Sequence, residues 1–264
     1  MFKFISFGSG SCGNCYYIYT EHDGLLIDVG VGTRSLKKHF GDYGLHMPGG
    51  FSSILVTHDH ADHIKSVGSL SKKLNLPVYA TRLVHSGMDN NYCMKLKLAQ
   101  ANRHYVVKGE AFEASGFHIT PFGVPHDSSD NVGYSIEYEG VVFTLLTDVG
   151  HITEEMKAII RNTDYLVIEA NYDLQMLQNG PYPRHLQERI QCGTGHLSNA
   201  QCGAALVENY TERLKYIWLC HLSEENNHPE LARKSIEQAL SDAGIKVKLD
   251  VLRRKQPTGV FELV

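Results

Sequence analysis

No apolar run in this chain approaches the eighteen or so residues that a membrane span requires. The stretch from Met1 to Gly8 is too short, and too soon interrupted by glycine, to act as a signal peptide. Together these absences predict a cytoplasmic protein with no membrane partner. Also missing are segments rich in proline, serine or like charges, blocks repeating at a solenoid period, and low-complexity linkers. A chain of 264 residues with 42% hydrophobic content and no such seam is expected to form one domain over residues 1–264. Cysteine provides no framework. Cys12 and Cys15 form a CxxC, but in a glycine-rich turn between two apparent strands, where a thioredoxin-type site would open a helix; Cys93, Cys192, Cys202 and Cys220 add no second close pair. Reduced, buried thiols are the expectation. The formal net charge of −4 argues, taken alone, against a polyanionic partner.

Histidine, by contrast, is plentiful: fifteen residues, roughly twice ordinary usage. Three fall in the run His58-Asp59-His60-Ala61-Asp62-His63, directly after the apolar Ser53 to Thr57. If the strand continues, Ile54, Val56, His58 and His60 share one face and Asp59 takes the other. Asp62 suits the N-cap of a helix that leads into Lys65 to Leu74, with His63 in its first turn. Four ligands delivered from two backbone directions fit two neighbouring ions better than one, with His58 and His60 on the first and Asp62 and His63 on the second. Two dications would bring the formal charge to zero and concentrate positive charge in one cleft. Arg184, Arg189, Arg253, Arg254 and Lys255 could extend that patch or be solvated surface.

Apolar, β-branched segments predict strands at 2–7, 16–19, 24–27, 54–57, 78–80, 118–122, 133–138, 141–147, 165–169, 216–219 and 246–252. Helical patterns lie at 35–40, 64–74, 92–101, 153–161, 184–190, 199–210 and 229–243. A strand-rich first half with a few helices, followed by a second half on the same plan, predicts an α+β fold: a four-layer αββα sandwich, two mixed sheets with helices on both outer faces. Several strands end in a potential ligand, namely Asp28, His126, Asp148 and His221. Side chains at such positions converge on one edge of a sandwich.

The HxHxDH run, followed in order by a lone His, a lone Asp and a final His after separate strands, resembles the metallo-β-lactamase superfamily. Shorter strings resemble its bacterial YycJ/WalJ (VicX) group: Gly8 to Cys15, Glu169-Ala170-Asn171, Met176-Leu177, Gly180 to Pro183, Gly195 to Asn199 and His221 to Pro229. The resemblance implies that His58, His60 and His126 hold one metal and Asp62, His63 and His221 the other, with Asp148 bridging and Asp28 orienting ligands from behind. It implies two divalent ions, Zn, Mn or Fe. His151 stands where an aromatic residue is expected, which leaves open whether it lines the cleft.

Similarity to the nucleic-acid phosphodiesterases of the superfamily, such as tRNase Z, extends to His196, a non-ligand histidine upstream of the last ligand, with Glu169 as the carboxylate that orients and charges it. A departing nucleotide oxyanion benefits from such an acid. The expected activity is therefore metal-dependent phosphodiester cleavage, with attack by hydroxide held at a dinuclear centre. Asp62 accepts or steers its proton, and His196 protonates the leaving oxygen. The group resemblance implies an exodeoxyribonuclease working on DNA from 5′ ends, in DNA repair. Two alternatives stay open: a hydrolase of small esters, thioesters or cyclic nucleotides on the same site, and a non-catalytic metal-binding regulatory partner. Ser11, Asn14 and the surrounding glycines could offer backbone N–H groups to a phosphate or simply form a tight turn.

Overall fold

The computed structural model describes residues 1–264. Along the chain run β1 (Phe2–Gly8), β2 (Cys15–Tyr19), β3 (Gly24–Ile27), α1 (Thr33–Asp42), β4 (Ser53–Leu55), α2 (Ala61–Ile64), α3 (Val67–Leu74), β5 (Val78–Ala80), α4 (Arg82–Asn90), β6 (Arg103–Tyr105), β7 (Phe112–Ala114), β8 (Phe117–Gly123), β9 (Val132–Tyr138) and β10 (Val141–Leu146). There follow α5 (Glu154–Arg161), β11 (Tyr165–Glu169), α6 (Leu174–Asn179), α7 (Arg184–Gln191), α8 (Asn199–Asn209), β12 (Tyr216–Cys220), α9 (Pro229–Asp242), β13 (Lys248–Val251) and β14 (Phe261–Leu263). The strands make two seven-stranded sheets, ordered β14-β1-β2-β3-β4-β5-β6 and β13-β12-β11-β10-β9-β8-β7. Each mixes parallel and antiparallel pairs.

Strands covered on both faces read as nearly unbroken apolar runs, and that is the pattern here. Phe2 and Phe4 of β1, with Tyr16 and Ile18 of β2, enter the seam between the sheets; Ile5, Phe7, Tyr17 and Tyr19 face the other way. In the seam Trp218 of β12 meets Phe4 of the opposite sheet, ring centroids 4.9 Å apart. The outer face of the first sheet is covered by α1 to α4 through Leu36, Phe40, Ile64, Leu70, Val84 and Met88. The outer face of the second is covered by α5, α8 and α9 through Met156, Ile160, Leu206, Ile236 and Leu240. The result is the four-layer αββα sandwich that the order of segments predicts.

Several local expectations are corrected. Strand β4 stops at Leu55, so His58 and His60 ride on the loop beyond it rather than on alternate strand positions; the Thr57 N–H instead donates to Asp28 Oδ1 at 2.9 Å. His60, not Asp62, is the N-cap of α2, and Asp62 lies within its first turn. The expected helix 64–74 is broken in two, because the Ser66 N–H turns aside to the Val29 carbonyl at 2.9 Å. Residues 92–99 are not helical: Met94 and Leu98 imitate a helical stripe but reach the core from a loop. The helix lies earlier, as α4, where the Thr81 hydroxyl accepts the Val84 N–H. Strands β6, β7 and β14, three residues each, are not among the expected ones. All six cysteines are free, but Cys12 and Cys192 are exposed and Cys93 is half-buried, contrary to burial throughout.

Candidate metal centre and active site

Strand register carries the polar residues to one edge. In the second sheet Leu146 pairs with Ile168 and Glu169 with Cys220, so Asp148, Glu169 and His221 emerge side by side. In the first sheet Ile27 pairs with Leu55, which sets Asp28 beneath Thr57 and the histidine run. Three of these strand-end residues, Asp28, Asp148 and His221, adopt left-handed backbone with φ of 58°, 54° and 52°. Such conformations are unfavourable for residues with a Cβ and persist where surroundings over-determine them. A second constraint lies at Gly30, where a Cβ would sit 1.6 Å from the Asp62 carbonyl oxygen. That carbonyl in turn accepts the Asn14 N–H at 2.7 Å.

Each of the five clustered histidines makes a hydrogen bond through one ring nitrogen that orients the ring and turns the other nitrogen toward the cluster. His63 donates from Nδ1 to Asp28 Oδ2 at 2.7 Å. His126 donates from Nδ1 to the Gly195 carbonyl at 2.9 Å, and His221 from Nδ1 to Glu169 Oε1 at 3.0 Å. The Thr57 hydroxyl gives its proton to Asp28 at 2.8 Å and therefore accepts from His58 Nδ1 at 3.0 Å. His60 is reversed: Nε2 donates to the Asp127 carbonyl at 3.2 Å, leaving Nδ1 3.3 Å from His126 Nε2. Two lone pairs at that distance repel unless a cation lies between them.

Four overlapping groups result, each with ligand atoms within 4.8 Å of one another: His58, His60 and His126; His58, His63 and Asp148; Asp62, His63 and His221; and Asp148, Glu169, His196 and His221. Asp148 faces both halves, Oδ2 lying 3.2 Å from His63 Nε2 and Oδ1 3.7 Å from His126 Nε2. His58 Nε2 is buried and has no hydrogen-bond partner, an expensive arrangement for a polar atom that a cation would relieve. This set of imidazoles and carboxylates fits divalent Zn, Mn or Fe.

His196 stands beside the cluster with part of its ring open to the cleft. Its Nδ1 donates to Glu169 Oε1 at 2.8 Å, while Glu169 Oε2 accepts the Val149 and Leu197 N–H groups at 2.7 and 3.1 Å. Burial alone would raise the Glu169 carboxyl, but His196 and His221 bring it down to about 2. Burial would lower His196; the Glu169 carboxylate outweighs it and holds the imidazole above its ordinary value. The same competition raises His221 to about 10, with Asp148 the strongest opponent of burial. His58 has no carboxylate as close, and burial, reinforced by His63, pushes it well down.

All ten residues named from the sequence for this site, His58, His60, Asp62, His63, His126, Asp148, Glu169, His196, His221 and Asp28, stand together here. His151 turns away, its Nδ1 bound to the Gly193 carbonyl at 2.7 Å. In the glycine-rich turn Asn14 Oδ1 accepts the Gly10 N–H at 2.7 Å, and Nδ2 reaches His63 Nε2 at 2.9 Å and Asp62 Oδ2 at 3.2 Å, while Ser11 lines the cleft. Asn14 thus props ligand side chains. Asp127 and Gly195 were missed because they hold His60 and His126 through backbone carbonyls, and Thr57 because residue type alone does not set its hydroxyl between Asp28 and His58.

A two-sheet sandwich with a histidine and aspartate cluster at one edge defines a divalent-metal-binding hydrolase of the metallo-β-lactamase fold. The sequence profile described as "Beta-lactamase superfamily domain" matches residues 25–217, and the chain belongs to that superfamily. It is 34% identical over 239 residues to the exodeoxyribonuclease YycJ of Bacillus anthracis, covering 90% of this chain and 89% of the relative. It is likewise 34% identical over 249 residues to the exodeoxyribonuclease WalJ of Streptococcus pneumoniae, covering 94% and 92%. Among solved structures, Zn(2+)-bound PqqB of Methylobacterium extorquens superposes with a TM-score of 0.73 at 18% identity, covering 97% of this chain and 99% of that one. No helix is long and apolar enough to cross a membrane.

Proposed function

We propose that the chain is a metal-dependent exodeoxyribonuclease that removes nucleotides from the 5′ ends of DNA, residues 1–264 acting as one domain. The observation that carries this reading is the His196–Glu169 pair: a histidine with its inner nitrogen held by a buried carboxylate and its outer nitrogen turned to the cleft beside the ligand cluster. Ester hydrolysis with a good leaving group has little need of such an acid, whereas a nucleotide oxyanion is basic and leaves better when protonated. The exodeoxyribonuclease relatives at 34% identity support the same choice of substrate.

In this reading His58, His60 and His126 hold one divalent ion, Asp62, His63 and His221 a second, and Asp148 serves both. When bound, the two ions supply Lewis acidity and a water nucleophilic at neutral pH. Asp62, partly open to the cleft, takes the proton as the water attacks phosphorus. His196 Nε2 delivers a proton to the departing oxygen, so one P–O bond forms and one breaks with no free alkoxide released. Glu169 keeps His196 oriented and charged, and Asp28 does the same for the tautomer of His63. The test is a panel of end-labelled single- and double-stranded DNA and RNA run beside elemental analysis. We expect cleavage from 5′ DNA ends, abolished by chelation and restored by Zn or Mn; failure of both ions to restore it overturns the scheme.

A further inference from the structure

The cleft has two unlike sides. Facing the ligand cluster is a wall built by Tyr182, Leu186, Arg189 and Ile190, to which the chemistry above gives no task. Tyr182 sits between Pro181 and Pro183, whose rings restrict the backbone on either side of it. Gln187 Nε2 donates to its carbonyl at 2.9 Å. The preceding Gly180 is required by close approach, as a Cβ there would lie 2.6 Å from the Met176 carbonyl oxygen. Tyr182 and Leu186 also pack on a small core of Tyr172, Leu177 and Ile190. The ring is therefore presented with little conformational entropy left to lose. Arg189 spends only Nε, on the carboxylate of Asp127, the residue after His126; its terminal amino groups make no hydrogen bond within the protein.

We propose that this wall is a subsite for the terminal nucleotide of the substrate, with Tyr182 stacking the base and Arg189 pairing with a phosphate next to the scissile one. The inference rests on the nuclease reading above. An aromatic face accepts every base alike, as an enzyme that degrades any sequence requires. A planar guanidinium suits a phosphate, and in a chain of net charge −4 the attraction for a polyanion has to be local.

The test uses single-stranded DNA whose terminal nucleotide either carries thymine or is abasic, with metal-loaded wild type, Tyr182→Ala, Tyr182→Phe and Arg189→Ala. Removing the base should raise KM about tenfold for wild type and for Tyr182→Phe, the scale of base–aromatic stacking, and should make no difference to Tyr182→Ala. Arg189→Ala should raise KM for both ends alike and flatten its dependence on salt. Equal KM values for the two ends in wild type overturn the subsite without recourse to any variant, as does discrimination that survives in Tyr182→Ala; either result leaves the nuclease reading standing. If wild type cuts neither end, both readings fall.

Discussion

Glu169 Oε1 lies 2.8 Å from His196 Nδ1, and that oxygen is also the partner of His221. One buried carboxylate thus connects a proposed metal ligand to a proposed acid. Charge on Glu169 favours the protonated form of His196, so the acid is available below its raised pKa and is lost as pH rises through it. Glu169→Gln removes that support and should move the alkaline limb of the kcat profile to lower pH. A limb that stays in place in pH–rate measurements would show that Glu169 does not set the charge of His196.

His196→Ala should lower DNA cleavage by about 10²–10⁴-fold, the usual contribution of a positioned acid. Metal content, measured by elemental analysis on the same sample, should remain near that of wild type. Activity that survives the substitution excludes His196 as the proton donor.

Asp148 and Asp28 should behave differently from His196. Asp148→Ala takes away the only carboxylate facing both halves of the cluster, and metal occupancy itself should fall. Asp28→Asn spares the ligands but disturbs the hydrogen bond to His63, and affinity should drop about 10–100-fold. Competition against a chromogenic chelator separates the two effects, and unchanged occupancy in Asp148→Ala would end its assignment as the shared ligand.

Gly30→Ala tests the packing behind the cluster. Its Cβ cannot coexist with the Asp62 carbonyl, so α2 must shift, with a loss of about 1–3 kcal/mol typical of overpacking. Thermal melting should register the loss, and metal content should fall with it although no ligand has been changed. A variant with wild-type melting and wild-type metal content would mean that the first turn of α2 is free to move.

Chelation should also lower the melting temperature, by roughly several degrees if metal normally saturates the site. The proposed ligands come from both sheets, so bound ions would tie the two halves of the sandwich together. A melt insensitive to chelator would imply that the edge of the sandwich is held without them.

Much of this was legible in the sequence, for a physical reason. Strands covered on both faces are written as apolar runs, and polar site residues that follow strands are recognisable by residue type alone, as at Asp28, Asp148 and His221. The less legible parts depend on contacts that residue type does not encode. Nothing in the order of residues announces that the Gly195 carbonyl receives His126, or that the Ser66 N–H leaves its helix for Val29. The misplaced helix at 92–101 shows the same limit: Met94 and Leu98 have helical spacing, but burial from a loop satisfies it equally well. Tyr182 belongs to the segment Gly180 to Pro183, yet only the folded cleft brings it opposite the cluster.

The left-handed backbone at Asp28, Asp148 and His221 sets stability against activity. Glycine at any of the three would relax the chain locally, and each such relief would delete a group on which the proposed chemistry depends. Selection for thermal robustness alone should therefore drift toward inactive protein at these positions, and a library screened first for melting temperature and only afterwards for cleavage would discard function early.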